Sequence, residues 1–259
     1  MVVNGDIQGL PFEKIEGCGN DFILLEQDPP PGAIDLLCDR HHGIGADGIM
    51  IFRGCIGNRV RLDHLDPDGG FSFCINGLRS ALFCLFRKGL VADHGVAESQ
   101  GVNVTYTIDQ NVAFLLPVRP VQPLAWSGSG QTVQGFFADV GNPHFITRGP
   151  WPPEQWSAIA PVIRADTECF PEGVNVSLIW EVVGGWRIKT YERGVEGFTK
   201  ACGSAVYASA LMLLAESRRD SLRFLPDGRG WLQVETKGAD LLMTGSAQWI
   251  ASGVWRCGG

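Results

Sequence analysis

Two long apolar runs dominate the hydrophobic pattern of this chain. The first follows Cys74 and ends near Phe86, and the second extends from Val206 to Glu216 just after Cys202. The second run is rich in Ala, Leu and Met and contains neither Pro nor Gly, which predicts a helix. Its apolar residues lie on nearly every side of that helix, so we expect it to be buried.

Short apolar and β-branched segments, separated by turn-forming residues, predict strands on both sides of each helix. Shorter helices are predicted at 33–39 and 153–160. The predicted strands lie at 22–25, 49–52, 59–66, 102–108, 111–116, 132–139, 145–148, 173–179 and 186–191, with three or four more between 222 and 255. Many short strands with one central helix in each half predict an α+β fold.

The pattern repeats along the chain. Asn20 follows a glycine and lies 54 residues before Cys74, and Asn142 also follows a glycine and lies 60 residues before Cys202. Two matched elements in the same order indicate two related halves. The segment 118–130 is rich in Pro, Ser and Gly and is the predicted boundary, which gives a first half at 1–118 and a second at 119–248.

Composition excludes several classes of protein. The chain has 259 residues, of which 45% are hydrophobic and 19% charged, and a net charge of −7 with a pI near 5.2 argues against nucleic-acid binding. No apolar run approaches the roughly 20 residues of a membrane span, and the N-terminal segment lacks the pattern of a signal peptide. We therefore expect a cytoplasmic protein without membrane partners.

The eight cysteines are expected to be reduced, because the chain is long and carries no secretory signal. No Cys-x-x-Cys pair occurs, which argues against a zinc ribbon or a thioredoxin-type site. Cys74 and Cys202 differ from the others because each is predicted at a helix N-terminus. Backbone N–H groups and the helix dipole stabilise a thiolate there, so we expect a lowered thiol pKa and a catalytic role.

Six short motifs occur along the chain in a characteristic order: GNDF from Gly19, DRHHGIGADG from Asp39, GNPHF from Gly141, GVNV from Gly173, TYERGVEG from Thr190 and ACGSA from Ala201. With these motifs in this order, the chain resembles the diaminopimelate epimerases over nearly its whole length. The resemblance implies two pseudo-symmetric halves, each an antiparallel sheet curled round a central helix. It also implies that 249–259 returns to the first half, and that the protein is a homodimer.

The resemblance further implies inversion of an amino-acid α-carbon without pyridoxal phosphate, metal or other cofactor. One cysteine would remove the α-proton and the other would deliver a proton to the opposite face, because inversion needs a group on each face. The catalytic positions that match are Cys74, Cys202, His144 and Glu192. The substrate-binding positions that match are Asn20, Asn142, Asn175 and Arg193. The two helix N-termini, at Ile75-Asn76 and Gly203-Ser204, are expected to supply backbone N–H groups to the substrate carboxylate. Asp66 lies at the position that the family uses for the distal amino-acid group.

Three positions depart from the family pattern. Ile75 replaces a glycine after the first cysteine, which predicts a narrower pocket, and Phe198 lies where an acidic segment is common. Asp66 replaces an asparagine, and a carboxylate there favours a substrate with a distal cation. The substrate is therefore diaminopimelate or a related amino acid, one with a basic side chain being the alternative.

Two other classes stay open. One is another two-half isomerase or lyase, of the proline-racemase or phenazine-biosynthesis type. The other is an inactive or redox-active protein in which Cys74 and Cys202 form a disulfide.

Overall fold

The computed structural model describes residues 9–149, 151–217 and 219–256. Cys257 and the end of the predicted return segment lie outside these residues. The chain divides into two compact units, the first ending at Val112 and resuming at Ala247, and the second extending from Ala113 to Ser246. Within the described residues, no helix combines the length and the apolar character that crossing a membrane requires.

The described residues of the first unit form one mixed sheet and two helices. Its sheet has the order β17-β1-β2-β3-β4-β5-β6. The elements are β1 (Leu10–Gly17), β2 (Asn20–Leu25), α1 (Ile34–Cys38), β3 (Gly48–Ile56), β4 (Arg59–Leu65), α2 (Ile75–Arg87), β5 (His94–Ser99), β6 (Val102–Ile108) and β17 (Gln248–Trp255).

The second unit repeats this plan with additional strands. Its sheet has the order β8-β9-β10-β11-β12-β14-β15-β16-β7, and β13 pairs with the end of β12. The elements are β7 (Val112–Pro117), β8 (Val121–Gly128), β9 (Gln131–Asp139), β10 (Pro143–Arg148), α3 (Pro153–Ala165), β11 (Asn175–Val182), β12 (Gly185–Glu192), β13 (Gly197–Thr199), α4 (Gly203–Glu216), β14 (Ser221–Pro226), β15 (Leu232–Lys237) and β16 (Asp240–Gly245).

The two sheets share one succession of strand directions. From β17 to β6 the six pairings are antiparallel, antiparallel, parallel, antiparallel, parallel and antiparallel. The six pairings from β8 to β15 repeat that series. The last strand of the chain, β17, therefore occupies in the first sheet the place that β8 occupies in the second. Each sheet is mixed, whereas the resemblance implied antiparallel sheets.

Each unit buries the helix that follows its predicted catalytic cysteine against its sheet. The helix α2 packs on β1, β2, β3 and β17, and α4 packs on strands from β8 to β11 and on β15. As the sequence predicts, α4 is apolar on all sides, and ten of its residues are buried. Burial of this kind stabilises a helix more than intrinsic propensity does.

Some elements differ from the sequence predictions. The predicted boundary segment 118–130 contains a strand, β8, instead of a linker. Among the pairings of the described residues, β9 is the partner of β8, and Pro123 is tolerated because an edge strand can lack one backbone donor. Helix α3 continues five residues beyond the predicted end at 160 and includes Pro161. The strands β1, β5 and β13 were not predicted.

Candidate functional site

Cys74 and Cys202 hold the same position in their respective units. Each is the N-cap residue of the long buried helix, with an extended backbone at φ −127° and ψ 106° for Cys74 and φ −121° and ψ 109° for Cys202. Cys74 Sγ accepts a hydrogen bond of 3.4 Å from the backbone N–H of Gly77. The first N–H groups of a helix have no partner within the helix, so both N-termini offer donors to a nearby negative charge.

A directed series of hydrogen bonds surrounds the N-terminus of α2. The fully buried Arg79 donates to Asn76 Oδ1 at 2.6 Å. Asn76 Nδ2 in turn donates to Asn20 Oδ1 at 2.8 Å, and Asn20 Nδ2 donates to Asp47 Oδ2 at 3.1 Å. Because the series begins at a cation and ends at a carboxylate, it fixes which way each amide points.

Charged groups hold the far end of that series in place. Arg40 pairs with both carboxylate oxygens of Asp21 at 3.0 and 2.7 Å, and it reaches Asp47 at 2.6 Å. Lys14 lies 2.6 Å from the same Asp21 carboxylate. Although burial opposes it, this pairing lowers the pKa of Asp21 to about 2. The glycine-rich loop around Asp47 is thus structural, as its sequence indicates, and it orients Asn20.

A second cluster surrounds Cys202. Its sulfur lies 3.3 Å from Ser204 Oγ, and His144 Nε2 lies 3.1 Å from the same hydroxyl. Asn142 contacts both groups, because its Oδ1 lies 3.1 Å from His144 Nε2 and its Nδ2 donates to Ser204 Oγ at 3.4 Å. Asn142 precedes β10 and His144 lies within it, whereas Ser204 lies in the first turn of α4. The fold therefore joins residues that are about 60 positions apart in the sequence.

The expected lowering of the Cys202 pKa is wrong. Burial raises the pKa of this thiol well above its usual range, and the charge of Glu192 raises it further. Interactions with Ser204 and the Ala205 N–H oppose this change without reversing it. The helix N-terminus is therefore outweighed by desolvation, and the resting group is a thiol. Glu192 itself accepts a hydrogen bond from Thr199.

His144 is neutral at physiological pH. Burial lowers the pKa of this fully buried imidazole to about 3, and the charge of Arg193 acts in the same direction. Arg193 is exposed, and its backbone N–H donates to Asn175 Oδ1 at 2.9 Å. Asn175 thus holds the chain that follows β12, while the Arg193 guanidinium donates to the carbonyl of Glu172.

The three residues that depart from the family pattern differ in exposure. The Asp66 side chain is 43% exposed, and His64 Nδ1 lies 4.0 Å from its carboxylate. Ile75 is buried in the first turn of α2. Phe198 is half-buried, where its ring meets Tyr191 edge-on at 5.2 Å and Lys189 Nζ at 4.8 Å. Asp66 and Phe198 are therefore partly exposed, whereas Ile75 is buried.

Several neighbours of these clusters were not predicted as site residues. Arg79 lies three residues after Asn76, a spacing that places both on one face of a helix and could have indicated their contact. Asp47 and Thr199 approach their partners only through tertiary structure. Among the described residues, no group of three or more His, Cys, Asp or Glu side chains could hold a metal ion.

Comparison with known proteins supplies the class and the family. No protein-family model matches the chain. A diaminopimelate epimerase from Xylella fastidiosa (strain M23) is 32% identical over 280 residues, covering 95% of this chain and 96% of the relative. A hydroxyproline epimerase from Agrobacterium vitis, solved with bound trans-4-hydroxy-L-proline, has a TM-score of 0.72 at 12% identity, covering 96% of this chain and 93% of its own. A phenazine-biosynthesis PhzF-family protein from Enterococcus faecalis has a TM-score of 0.71 at 15% identity, covering 96% of this chain and 100% of its own.

The fold is therefore the one shared by these epimerases and PhzF-type proteins, which confirms the predicted α+β class. The protein is an isomerase of the epimerase/racemase type. Its sequence similarity is specific enough to go further, and the chain belongs to the diaminopimelate epimerase family.

Proposed function

We propose that this enzyme inverts the α-carbon of an amino acid with Cys74 and Cys202 as its acid–base pair, and without pyridoxal phosphate or metal. The observation that supports this most is the equivalent N-cap position of the two cysteines, in two units whose strands follow the same order of parallel and antiparallel pairings. Inversion requires a base on one face of the carbon and an acid on the other, and two thiols supply both.

The buried thiol of Cys202 suits the acid role in the resting enzyme. In that direction the Cys74 thiolate takes the α-proton, and the electron pair of the C–H bond moves toward the substrate carboxylate. Cys202 then gives its proton to the opposite face, which leaves Cys74 as the thiol and Cys202 as the thiolate. The reverse reaction exchanges the two roles.

The α-proton is a very weak acid, so the charge that forms on the substrate carboxylate must be stabilised. Backbone N–H groups of Ile75 and Asn76 in α2, and of Gly203 and Ser204 in α4, lie in the first turn of each helix, where no carbonyl of the same helix accepts from them. Donors fixed in advance stabilise a developing charge more than mobile water does. These groups act as the oxyanion donors of our proposal.

The proposed substrate is diaminopimelate, the substrate named for the relatives, which would place the enzyme in lysine biosynthesis. Asp66 favours the alternative, an amino acid whose side chain ends in a cation. Its carboxylate is 43% exposed, and a fixed negative charge there attracts a distal ammonium and repels a distal carboxylate. We also propose a cytoplasmic homodimer, for which the mass in solution should be twice the 28.1 kDa of the chain.

The test is α-proton exchange in deuterium oxide. Purified enzyme is incubated with diaminopimelate, lysine, ornithine, arginine and neutral amino acids, and deuterium at the α-carbon is measured by mass spectrometry together with chirality. We expect inversion with at least one of them, and its loss in both Cys74→Ser and Cys202→Ser. Cys55→Ser is the matched control, because Cys55 is exposed and distant in sequence from both helices. Absence of exchange with every amino acid would refute the proposal.

A further inference from the structure

The hydroxyl of Ser204 is held by three neighbours of different chemistry. Its oxygen lies 3.1 Å from His144 Nε2, 3.4 Å from Asn142 Nδ2 and 3.3 Å from Cys202 Sγ. Ser204 follows Cys202 by two residues and lies in the first turn of α4, so its position relative to the thiol is fixed by the helix.

The direction of each hydrogen bond in this cluster follows from Asn142. Its Oδ1 can only accept, and it lies 3.1 Å from His144 Nε2, so that nitrogen must carry the proton. The His144 ring is fully buried and neutral, and its Nδ1 has no hydrogen-bond partner among the described residues. A bare lone pair on Nδ1 costs less than a buried N–H group without an acceptor, which favours the same tautomer.

The single His144 Nε2–H is shared between Asn142 Oδ1 and Ser204 Oγ, each 3.1 Å away, and Asn142 Nδ2 is the second donor to Ser204 Oγ. The hydroxyl proton of Ser204 is left to point at the remaining neighbour, the sulfur of Cys202. A hydroxyl that donates to sulfur stabilises the thiolate relative to the thiol. The Glu192 carboxylate, at the end of β12, is a charged neighbour of this sulfur. Its negative charge disfavours the thiolate and so opposes the effect of the Ser204 hydroxyl.

We infer that Ser204 is a positioning residue for Cys202, and that His144 acts on this thiol through the Ser204 hydroxyl and not by direct contact. When Cys202 gives up its proton, the Ser204 hydroxyl already points at the sulfur and donates a hydrogen bond to the new thiolate. In α2 the residue two positions after Cys74 is Asn76, which has an amide and no hydroxyl. A hydroxyl that donates to the cysteine is therefore proposed only for the second unit. The inference builds on the proposed acid–base role of Cys202, but its test measures the thiol itself.

The test is the rate at which a small alkylating reagent modifies Cys202, measured by mass spectrometry of the peptide at a fixed pH below the thiol pKa. There the rate is proportional to the thiolate fraction. Loss of one hydrogen bond to a charged group should slow Ser204→Ala about 10-fold relative to the wild type. Ser204→Thr keeps the hydroxyl and should retain the wild-type rate. An unchanged rate in Ser204→Ala, or an equal loss in Ser204→Thr, would overturn the inference.

A double-mutant cycle tests the path from His144. His144→Leu alone should slow alkylation, whereas His144→Leu in the Ser204→Ala background should add little, because the intermediate hydroxyl is already gone. If the effects of the two substitutions on the alkylation rate are fully additive, His144 does not act on Cys202 through the Ser204 hydroxyl. Ser209→Ala is the folding control, since Ser209 is a buried serine of the same helix whose hydroxyl has no hydrogen-bond partner among the described residues.

Activity gives a second readout. The Ser204 hydroxyl is directed at the thiol and not at the substrate, so Ser204→Ala should lower kcat with little change in KM. A rise in KM with unchanged kcat would show that the hydroxyl binds substrate instead. Failure of the whole function would appear differently, as absence of exchange in the wild type while the alkylation rates still differ.

Discussion

Acidification should destabilise the second unit through the buried imidazole of His144. The pKa of this group falls from an ordinary value of 6.5 to about 3 in the folded protein, mainly because burial penalises the charged form. The sign follows from the unfolded chain, which binds a proton below 6.5 while the folded protein does not. Stability is therefore fully present above 6.5 and is lost as the pH falls toward 3.

The size of the effect follows from the same two values. Between about pH 7.5 and about pH 5 the unfolded imidazole gains nearly one proton and the folded one gains none, which lowers the free energy of unfolding by about 2 kcal/mol. The full burial of His144 means that solvent screening does not reduce this figure. Asp21 contributes little in this range, because its pKa in the folded protein lies near 2.

Urea unfolding at the two pH values provides the assay, with tryptophan fluorescence as the signal. Six of the eight tryptophans lie between 126 and 231, within the second unit, so the signal reports mainly on that unit. His144→Gln should lower stability at both pH values but should reduce the difference between them by about 2 kcal/mol. His94→Gln, at an exposed histidine of the first unit, is the control. If His144→Gln keeps the wild-type pH dependence, the conclusion that the buried His144 imidazole stays neutral is wrong.

Three further changes probe the site and its scaffold. Asp66→Asn should shift kcat/KM about 10-fold away from substrates with a distal cation, because one opposite charge is lost; exchange rates on the amino-acid panel check this. Gly48→Ala should destabilise the first unit by about 1–3 kcal/mol, since an added Cβ would lie 2.5 Å from His64 Nε2, and urea unfolding measures the loss. Glu192→Gln should speed alkylation of Cys202, because removing the carboxylate charge lowers the thiol pKa, and it should slow epimerisation.

Matched outcomes separate these effects from general damage. Gly197→Ala introduces the same methyl group where the nearest atom is 3.9 Å away, so its stability should match the wild type. If Gly197→Ala and Gly48→Ala lower the free energy of unfolding equally, steric crowding at Gly48 is not the cause of the destabilisation. For Asp66→Asn, an equal change on every substrate would show that the carboxylate does not discriminate by charge. An unaltered Cys202 alkylation rate in Glu192→Gln would contradict the contribution of the Glu192 charge to the raised pKa of this thiol.

The sequence was most informative where one local pattern decides the structure. The apolar run after each cysteine predicts α2 and α4, and the N-cap position of Cys74 and Cys202 follows from where those runs begin. The strand β8 was missed because Pro123, Ser127 and Gly128 favour a loop in isolation, and only pairing with β9 makes the segment extended.

Tertiary contacts account for what the sequence could not predict in the site. A helix N-terminus normally favours a thiolate, but the burial of Cys202 and the approach of Glu192 depend on how β12 and α4 pack. The contact between His144 and Ser204 joins a strand to a helix 60 positions later. No periodicity along the chain encodes such a contact.

The place of β17 beside β1 has a consequence for how this protein is made. The first sheet lacks one of its strands until residues 248–255 have emerged from the ribosome, although its partner β1 emerges much earlier. All the residues of the second unit, 113–246, are available earlier. During synthesis the second unit can thus reach its native state before the first unit. Until β17 is made, the first unit has an unpaired edge at β1, which can pair with strands of other chains.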